Sequence, residues 1–284
     1  MLNIPFTKMQ GAGNDFIIID NRELRIPLNL FAKLAKQACA RHVSLGADGL
    51  MVADWPEHGG DLKLVYFNGD GSLSEMCGNG ARCIGRFGYE RFAQKGRITI
   101  EATSGDVYAW RLSEREYRIC LNEPSRLEVD FPLLLDGAIV SCAYVELGDP
   151  GLPHAVLLRD DLEGMDYRAE LTDVARKLRN HAQFPKGANI NFCQVLAPDH
   201  LLIRTYERGV EDFTLACGTG SASSVAALQA TGKLARGPVR VSNPGDDLIV
   251  EPVWTDDKVT ELFVTGPTNM VADGTLTDED IQLE

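Results

Sequence analysis

The sequence lacks several features, and each absence excludes a class of protein. No apolar run approaches the roughly 18 residues of a membrane-spanning helix, so we predict no membrane span. Positive charge is scarce, and the net charge of −13 argues against nucleic acids and anionic membranes as partners, because both bind basic patches. Residues 1–6 lack the charged and apolar blocks of a signal peptide, so we expect a cytoplasmic protein.

Cysteine and histidine are arranged neither as a disulfide framework nor as metal ligands. The seven cysteines are an odd number without paired Cys-x-x-Cys spacing, and the five histidines do not fall at ligand spacing. We therefore expect free thiols and no bound metal. Burial as small hydrophobic side chains explains four cysteines in apolar or alternating segments: Cys39, Cys120, Cys142 and Cys193.

Two other cysteines stand in two copies of one motif. Met76-Cys77-Gly78-Asn79-Gly80-Ala81-Arg82 is matched 140 positions later by Ala216-Cys217-Gly218-Thr219-Gly220-Ser221-Ala222. The same offset, without gaps, aligns further residues between positions 16 and 106: Phe16-Ile17-Ile18 with Val156-Leu157-Leu158, Asp20 with Asp160, Ala35-Lys36 with Ala175-Arg176, Tyr66 with Tyr206, Asn68 with Arg208, and Gly105-Asp106 with Gly245-Asp246. A single offset over this length predicts a duplicated domain.

Hydrophobic patterning predicts two helices and mostly β-structure in each half. Helices are expected at 30–41 and 171–181, and again just after the cysteine turns at about 81–94 and 221–231, ending at Gly96 and Gly232. Strands are predicted at 16–19, 62–67, 98–101, 107–110, 117–121, 155–158, 201–206, 239–241 and 248–253. We therefore predict an α+β fold of two pseudo-symmetric mixed α/β domains, each a sheet wrapped around a central helix. The N-terminal half is assigned to 1–125 plus 267–284, and the C-terminal half to 126–266.

Each cysteine turn has the form Cys-Gly-x-Gly and precedes a predicted helix. Glycines let backbone N–H groups converge, and a helix N-terminus adds unpaired donors and a partial positive charge. A carboxylate can bind there, and the thiolate of a neighbouring cysteine is favoured. Two such turns facing each other would hold one carboxylate with a sulfur on each side of its α-carbon. One thiolate would remove the α-proton and the opposite thiol would return a proton, as a cofactor-free racemase requires.

Other interpretations of these residues remain open. One glycine-rich turn alone would be explained as a helix start with a buried cysteine, but two in equivalent positions favour a catalytic pair. Nucleotide binding is disfavoured because no Lys-Ser/Thr follows either loop and no GxGxxG follows a strand. His154 occupies the repeat position of Asn14 and is either structural or a partner of the thiols. Glu207-Arg208, at the end of a predicted strand, is either a surface ion pair or part of the site.

Several short motifs together resemble one family over essentially the full length. They are Gly11-Ala12-Gly13-Asn14-Asp15-Phe16, Gly46-Ala47-Asp48-Gly49, Phe67-Asn68-Gly69-Asp70-Gly71-Ser72, the segment 76–83, Pro153-His154, Ala188-Asn189-Ile190, Tyr206-Glu207-Arg208-Gly209 and the segment 216–220. The chain in this respect resembles diaminopimelate epimerase, a pyridoxal-independent epimerase of the lysine and peptidoglycan pathway.

The resemblance implies a function and a set of site residues. It implies epimerisation of LL-2,6-diaminopimelate to the meso form without a cofactor. The implied site is a cleft between the two pseudo-symmetric domains, and the implied assembly is a homodimer. The cysteines are the acid and base, with Cys77 paired to His154 and Cys217 to Glu207. The remaining implied residues bind substrate: Gly78-Asn79 and Gly218-Thr219 hold the reacting carboxylate, and Asn14, Asn68, Asn189 and Arg208 hold the distal amino acid end. Glu207 is implied as a substrate-binding residue as well.

Three departures from the family pattern lie near substrate-reading loops and not at the thiols. Leu152 replaces the asparagine of the usual Gly-Asn-Pro-His, Gly49 lies in a loop that carries glutamine in some members, and Phe213 stands where glutamate is common. Arg208 and the asparagines favour diaminopimelate as the substrate. Leu152 supports the alternative, a related racemase of another amino acid such as histidine. A non-catalytic amino acid binder is a third hypothesis, which the two thiols disfavour because a binder needs neither.

Overall fold

The computed structural model describes residues 3–74, 77–103 and 105–283, so Met76 of the first cysteine motif lies outside the described residues. The chain divides into two compact units. One holds the residues up to 119 together with those from 266 onward, and the other holds residues 120–265. The second unit is therefore continuous in sequence, whereas the first is completed by the end of the chain.

The first unit is a sheet with three helices. Its helices are α1 (Asn21–Leu24), α2 (Leu28–Ala38) and α3 (Gly78–Arg91). Its strands are β1 (Ile4–Gly11), β2 (Asn14–Asp20), β3 (Gly49–Asp54), β4 (Leu62–Asn68), β5 (Leu73–Ser74), β6 (Arg97–Ala102), β7 (Gly105–Arg111), β8 (Glu116–Leu121) and, from the end of the chain, β18 (Asn269–Leu276).

The second unit repeats this plan with two helices, α4 (Tyr167–Arg179) and α5 (Gly218–Ala230). Its strands are β9 (Pro124–Leu135), β10 (Ala138–Leu147), β11 (Leu152–Leu158), β12 (Asn189–Ala197), β13 (His200–Glu207), β14 (Asp212–Phe213), β15 (Val239–Ser242), β16 (Asp247–Thr255) and β17 (Lys258–Pro267).

Strand pairing follows the same order in both units. In the first, β18, β1 and β2 are antiparallel neighbours, β2 pairs with β3 and β4 with β6 in parallel, and the pairs β3–β4, β6–β7 and β7–β8 are antiparallel. In the second, β9, β10 and β11 are antiparallel, β11–β12 and β13–β15 are parallel, and β12–β13, β15–β16 and β16–β17 are antiparallel. The predicted α+β fold with a duplicated domain is confirmed.

A central helix is enclosed by the sheet in each unit. Residues Gly78 to Gly88 of α3 are all buried, and in α5 every residue from Gly218 to Gln229 is buried except Thr219. Such a helix must carry small residues where strands approach it closely. A Cβ on Gly85 would clash with the Cβ of Ala109 on β7, so glycine is required at this approach.

The second helix of each unit covers the outer face of the sheet. In the first unit, the Ile17 and Ile19 side chains of β2 pack with Phe31 and Leu34 of α2 in one buried cluster. Phe16, which points to the opposite face, lies next to Gly80 of α3. Because β2 is covered on both faces, its sequence is a continuous apolar run and not an alternating one.

Both central helices begin earlier than predicted. We expected them after the glycine turns, but α3 begins at Gly78 and α5 at Gly218. Glycine is a poor helix former, so the sequence pattern indicates a turn, whereas burial against the sheet makes these glycines the first helical turn. Cys77 and Cys217 are consequently the N-cap residues, with extended backbone φ values of −134° and −120°.

The end of α3 also differs from the prediction, because it depends on a residue that is distant in sequence. Gly232 follows α5 with φ +69°, as expected for a residue beyond a C-cap. Gly96, in contrast, does not end α3, which stops at Arg91 with Phe92 as its C-cap. The Arg22 side chain donates to the Arg91 carbonyl at 3.2 Å and its guanidinium lies 3.6 Å from the centre of the Phe92 ring, so a distant residue caps this helix.

Several strands were not predicted. β3 is buried along almost its whole length and so shows no alternation of apolar and polar residues. β9 contains Pro124 and Pro132 and is largely exposed, which hides it from a search for apolar strands. The other unpredicted strands are β1, β5, β10, β12, β14, β17 and β18. Within the described ranges, no helix combines the length and apolarity that a membrane span requires.

We expect Gly85→Ala to lower the free energy of unfolding by about 1–3 kcal/mol. The added methyl group and the Ala109 methyl group are both fixed to backbone and cannot rotate apart, which outweighs the ~1 kcal/mol gain in helix propensity. The control is Gly96→Ala, where no atom lies within 4 Å of the added Cβ. Urea unfolding of the two variants tests this, and equal midpoints would show that the sheet yields at this position.

Candidate active site

The first cysteine, Cys77, is bonded to the loop between β1 and β2. Its thiol donates a hydrogen bond to Asn14 Oδ1 at 3.3 Å. The Asn14 amide in turn donates to the Asp48 carboxylate, which can only accept, and this fixes which end of the amide faces the thiol. Cys77 is therefore held as the donor of this hydrogen bond.

A charged cluster holds that loop in place. Arg41 bonds both Asp15 at 2.6 Å and Asp48 at 2.9 Å, and Lys8 also pairs with Asp15 at 2.6 Å. Burial alone would raise the pKa of Asp15, but the hydrogen bonds and charges of Lys8 and Arg41 lower it below its ordinary value. Asp15 therefore remains charged at neutral pH. It holds Arg41, and Arg41 holds Asp48, the carboxylate that accepts the hydrogen bond from the Asn14 amide.

The first turn of α3 brings further predicted residues to Cys77. Gly78 and Asn79 are both buried, and the Asn79 side-chain oxygen accepts a 2.8 Å hydrogen bond from Arg82, which is 0% exposed. The Cys77 side chain also lines an apolar cavity of about 10 Å³ with Met51 and Tyr66. This cavity has room for one water molecule at most, so an amino acid does not fit there.

Asn68 is the last residue of β4. Its amide donates to Ser72 Oγ at 2.9 Å across the turn that follows the strand. Gly49 is its neighbour in the β3–β4 pair. A Cβ on Gly49 would clash with the Tyr66 ring, so this departure from the family pattern has a steric reason within the first unit.

The second cysteine, Cys217, is bonded differently. Its sulfur accepts a hydrogen bond from the Gly220 backbone N–H at 3.3 Å and lies 3.5 Å from Thr219 Oγ1. The residue is 6% exposed. A sulfur that accepts from an N–H group in the first turn of a helix has its negative charge favoured by that donor and by the helix dipole.

Glu207 and Arg208 do not follow the surface-ion-pair interpretation, because their side chains bond to different groups. Glu207 accepts a hydrogen bond from the Thr214 hydroxyl, whereas Arg208 Nη1 donates to the Lys186 carbonyl at 3.0 Å. Asn189 holds the backbone at this point, since its side-chain oxygen accepts from the Arg208 N–H at 2.9 Å. The other end of the same amide donates to the Pro153 carbonyl at 3.2 Å.

His154 is 0% exposed and lies beside Asn189 in the parallel β11–β12 pair. Its Nδ1 atom is 3.3 Å from the amide nitrogen of Asn191. Burial, assisted by the positive charge of Arg208, lowers the pKa of His154 to about 3. The imidazole is therefore neutral at physiological pH.

Each unit thus gathers its own part of the predicted set. The first brings together Cys77, Asn14 and Asn79, with Asn68 at a strand end. In the second, Cys217 lies with Thr219 in the first turn of α5, and Asn189 joins the His154 and Arg208 segments. Sequence reasoning missed the groups that hold these residues, namely Asp15, Arg41, Asp48, Arg82 and Asn191. Asp15, Asp48 and Arg82 stood in motifs already quoted, but their partners are distant in sequence or, for Arg82, one helical turn away.

Another departure from the family pattern, Phe213, also has a local explanation. Phe213 is buried and packs edge-on against Tyr206 at 5.5 Å and Tyr167 at 5.1 Å, measured between ring centroids. It is therefore a core residue of the second unit. Leu152 begins β11 opposite Leu147. In the described part of the chain, no group of three or more His, Cys, Asp or Glu side chains is placed to hold a metal ion.

The chain matches the model of a known family and curated members of it. Residues 6–118 and 148–271 match the family model described as Diaminopimelate epimerase. A curated relative, the diaminopimelate epimerase of Aquifex aeolicus, is 35% identical over 286 residues, covering 97% of this chain and 99% of the relative. That of Chlorobaculum tepidum is 36% identical, covering 95% of this chain and all of the relative.

Solved structures with little sequence identity share the fold. A phenazine biosynthesis protein of the PhzF family from Bacillus anthracis matches with a TM-score of 0.72 at 14% identity, covering 97% of this chain and 99% of its own. A hydroxyproline epimerase from Agrobacterium vitis matches with a TM-score of 0.71 at 14% identity, covering 98% and 94% of the two chains.

We expect iodoacetamide at about pH 8 to modify Cys77 before the core cysteines, because the thiolate is the nucleophile. Burial raises the pKa of Cys39, Cys83, Cys142 and Cys193 to about 12, so these thiols stay protonated and enclosed. Cys77 is half-buried at a helix N-terminus. Peptide mapping after brief labelling measures the order, with urea-unfolded protein as the control in which all seven react. Labelling of Cys83 as fast as Cys77 would contradict this expectation.

Proposed function

Because the chain belongs to the diaminopimelate epimerase family, we propose that it converts LL-2,6-diaminopimelate into the meso form with two cysteines as acid and base and without a cofactor. The chain is an isomerase. The observation that carries the two-cysteine mechanism is the repeated N-cap: each duplicated unit places one cysteine at the N-terminus of its enclosed helix.

The hydrogen bonds of the two sulfurs fit the start of such a reaction. Inversion at one carbon needs one thiolate to remove the α-proton and one thiol to supply a proton to the opposite face. Cys77 donates to Asn14 Oδ1, a contact that suits a thiol, whereas Cys217 accepts from the Gly220 N–H, a hydrogen bond that would strengthen if this sulfur were the thiolate. After one turnover the proton is on the other sulfur, so the reverse reaction starts from the exchanged state.

The reacting carboxylate binds, in this proposal, at the first turns of the two central helices. Gly78 and Asn79 in one unit and Gly218 and Thr219 in the other supply the backbone N–H groups of the first helical turn, which favour a bound anion. These donors stabilise the negative charge that grows on the carboxylate as the α-proton leaves. Hydrogen-bond donors placed where charge develops in the transition state typically lower the activation barrier by several kcal/mol.

The distal carboxylate and amine are assigned to side chains of strand ends and loops. Arg208 supplies a cation for the carboxylate, and its position is supported by the bond from its backbone N–H to Asn189. Asn14, Asn68 and Asn189 complete the assignment of the distal end, and Glu207 is proposed as a substrate-binding residue beside Cys217. The pairing of Cys77 with His154 and of Cys217 with Glu207 rests on the family resemblance.

A racemase of another amino acid, such as histidine, is the second candidate, and Leu152 is the observation that favours it. The assay that separates the candidates follows α-proton exchange in D₂O by NMR with LL-diaminopimelate, histidine and other amino acids. Exchange and inversion of LL-diaminopimelate support the proposal. Exchange of a monocarboxylic amino acid alone would replace it with the second candidate.

Two further parts of the proposal, a cytoplasmic location and a homodimer, rest on the family resemblance. Sedimentation analysis across a range of protein concentrations tests the second. A mass that stays at the 31.1 kDa of one chain would overturn it.

We expect Cys77→Ala and Cys217→Ala each to abolish epimerisation, since one acid–base group typically contributes about 10²–10⁴ in rate and the two act as a unit. Steady-state turnover of LL-diaminopimelate measures the loss. Cys120→Ala is the matched control, because it removes a half-buried thiol without a role in the proposal. The two-base mechanism is wrong if either active-site variant keeps more than a few per cent of wild-type kcat.

Arg208→Met should cripple turnover of LL-diaminopimelate, at a cost of about 2–5 kcal/mol if the carboxylate pair is shielded from water. The reactivity of the thiols toward iodoacetamide should stay nearly intact, which serves as the control for folding at the site. Leu152→Asn is the companion variant and should leave activity unchanged or raise it. Arg208→Met with wild-type kcat/KM would remove Arg208 from the substrate site.

A further inference from the structure

A closed polar network lies inside the second unit, and the sequence pattern did not reveal it. Asn191 on β12, His154 on β11 and Thr205 on β13 are 0%, 0% and 3% exposed. Thr205 Oγ1 donates to Asn191 Oδ1 at 3.0 Å. Asn191 Nδ2 donates to the Ala155 carbonyl at 3.1 Å and lies 3.3 Å from His154 Nδ1.

One of these contacts fixes the orientation of the Asn191 amide. The Ala155 carbonyl can only accept a hydrogen bond, so the atom of Asn191 that faces it must be the amide nitrogen. If the amide were flipped, its oxygen would face the Ala155 carbonyl oxygen, and two acceptors would lie against each other. The Thr205 hydroxyl does not decide the orientation, because it can either donate or accept a hydrogen bond. The nitrogen therefore also faces the histidine ring.

The orientation of the amide determines the histidine tautomer. A donor 3.3 Å from Nδ1 requires a lone pair on that atom, so the single proton of the neutral ring is on Nε2. An imidazolium would carry protons on both nitrogens and would set the Nδ1 proton against the Asn191 donor. Burial and the nearby charge of Arg208 also lower the pKa of His154, to about 3.

The network is held rigidly by the first turn of α5. A Cβ on Gly220 would clash with Asn191 Oδ1 and would lie 3.2 Å from Thr205 Oγ1, so the helix backbone packs directly on the network. Gly220 is the same residue whose N–H donates to Cys217. In the first unit the 140-residue offset places apolar Met51 at the position of Asn191. The network thus belongs to the second unit alone.

The other ring nitrogen of His154, Nε2, is buried and can donate a hydrogen bond. Among the described residues, His154 Nε2 has no hydrogen-bond partner. An unsatisfied buried N–H destabilises a fold, and it is tolerated where the group has a function. The ring is thus prepared to donate one hydrogen bond from Nε2.

We propose that Asn191 is a positioning residue that fixes His154 as the neutral tautomer with its proton on Nε2. His154 then serves the reaction as a hydrogen-bond donor that stabilises a thiolate, and not as the base that removes a thiol proton. No proton is transferred to or from the ring: the Nε2 proton stays on nitrogen throughout. The role in the reaction, though not the tautomer, rests on the proposed function.

The tautomer is measured directly on the wild-type protein labelled with nitrogen-15 histidine. We expect the His154 signals, assigned by their loss in His154→Gln, to show a protonated Nε2 and an unprotonated Nδ1 from about pH 8 to pH 5. A protonated Nδ1, or an imidazolium in this range, would overturn the proposal. This readout does not depend on activity, so its failure is distinct from failure of the epimerase assignment.

The reaction role is tested with Asn191→Asp, which sets an acceptor against Nδ1 and should move the ring proton there. We expect kcat for the substrate identified by the exchange assay to fall at least about tenfold with KM within about twofold, because an interaction made in the transition state is lost. The same variant should show a new dependence of kcat on pH. An unchanged kcat in a folded variant with the switched tautomer would overturn the donor role.

Thr205→Val is the matched control, because it removes a hydrogen bond to Asn191 without touching the ring. The Ala155 contact remains, so the tautomer and kcat should stay near wild type. If Thr205→Val lowers kcat as much as Asn191→Asp does, packing and not the ring proton explains both results, and the proposal fails. Should Asn191→Asp not fold, Asn191→Leu with the same two readouts replaces it, and the tautomer in wild type still decides the first claim.

Discussion

Enclosing a helix inside a sheet is the constraint on which the rest of each unit depends. An α-helix buried on all sides has to carry small residues where strands cross it, and glycine where they come closest. In α3 and α5 this requirement extends to the first turn, where Gly80 and Gly220 face side chains of the sheet. The helix N-terminus is thereby held at a fixed place in each unit. A cysteine that caps such a helix is therefore fixed in position and lies in the electrostatic field of the helix end.

The duplicated backbone carries different polar chemistry in its two copies. Pairing order and helix placement repeat, yet several side chains at matching positions do not. Under the 140-residue offset these pairs are Asn14 with His154, Gly49 with Asn189, Met51 with Asn191, and Asn68 with Arg208. The two units are thus alike in backbone and in the position of their N-cap cysteines, and unlike in these side chains.

The repeat made much of the fold predictable from one sequence. A pattern that appears twice at a constant spacing is stronger than either copy, so the duplicated domains and the helices beside the two cysteines followed from it. The helix start at Gly78 was missed because propensity favours a turn there, and burial decides otherwise. The end of α3 depends on Arg22, which lies far away in sequence.

The supporting groups of the site were harder to predict than the thiols. Asp15, Arg41 and Asp48 hold Asn14 through a charged cluster whose members come from separate segments. Asn191 stands two residues after Asn189, in a strand that patterning did not identify. Residue type alone indicates which side chains can do chemistry, whereas the groups that orient them become visible only when the strands are paired.

The return of β18 to the first unit imposes an order on synthesis. β18 is the antiparallel neighbour of β1, with Ile4 opposite Leu276, so one edge of β1 has no strand beside it until residue 276 has left the ribosome. The second unit, continuous from 120 to 265, is complete before that moment. A growing chain therefore exposes the unpaired backbone groups of β1 while the whole second unit is synthesised, a period in which strand edges are prone to pairing with other chains.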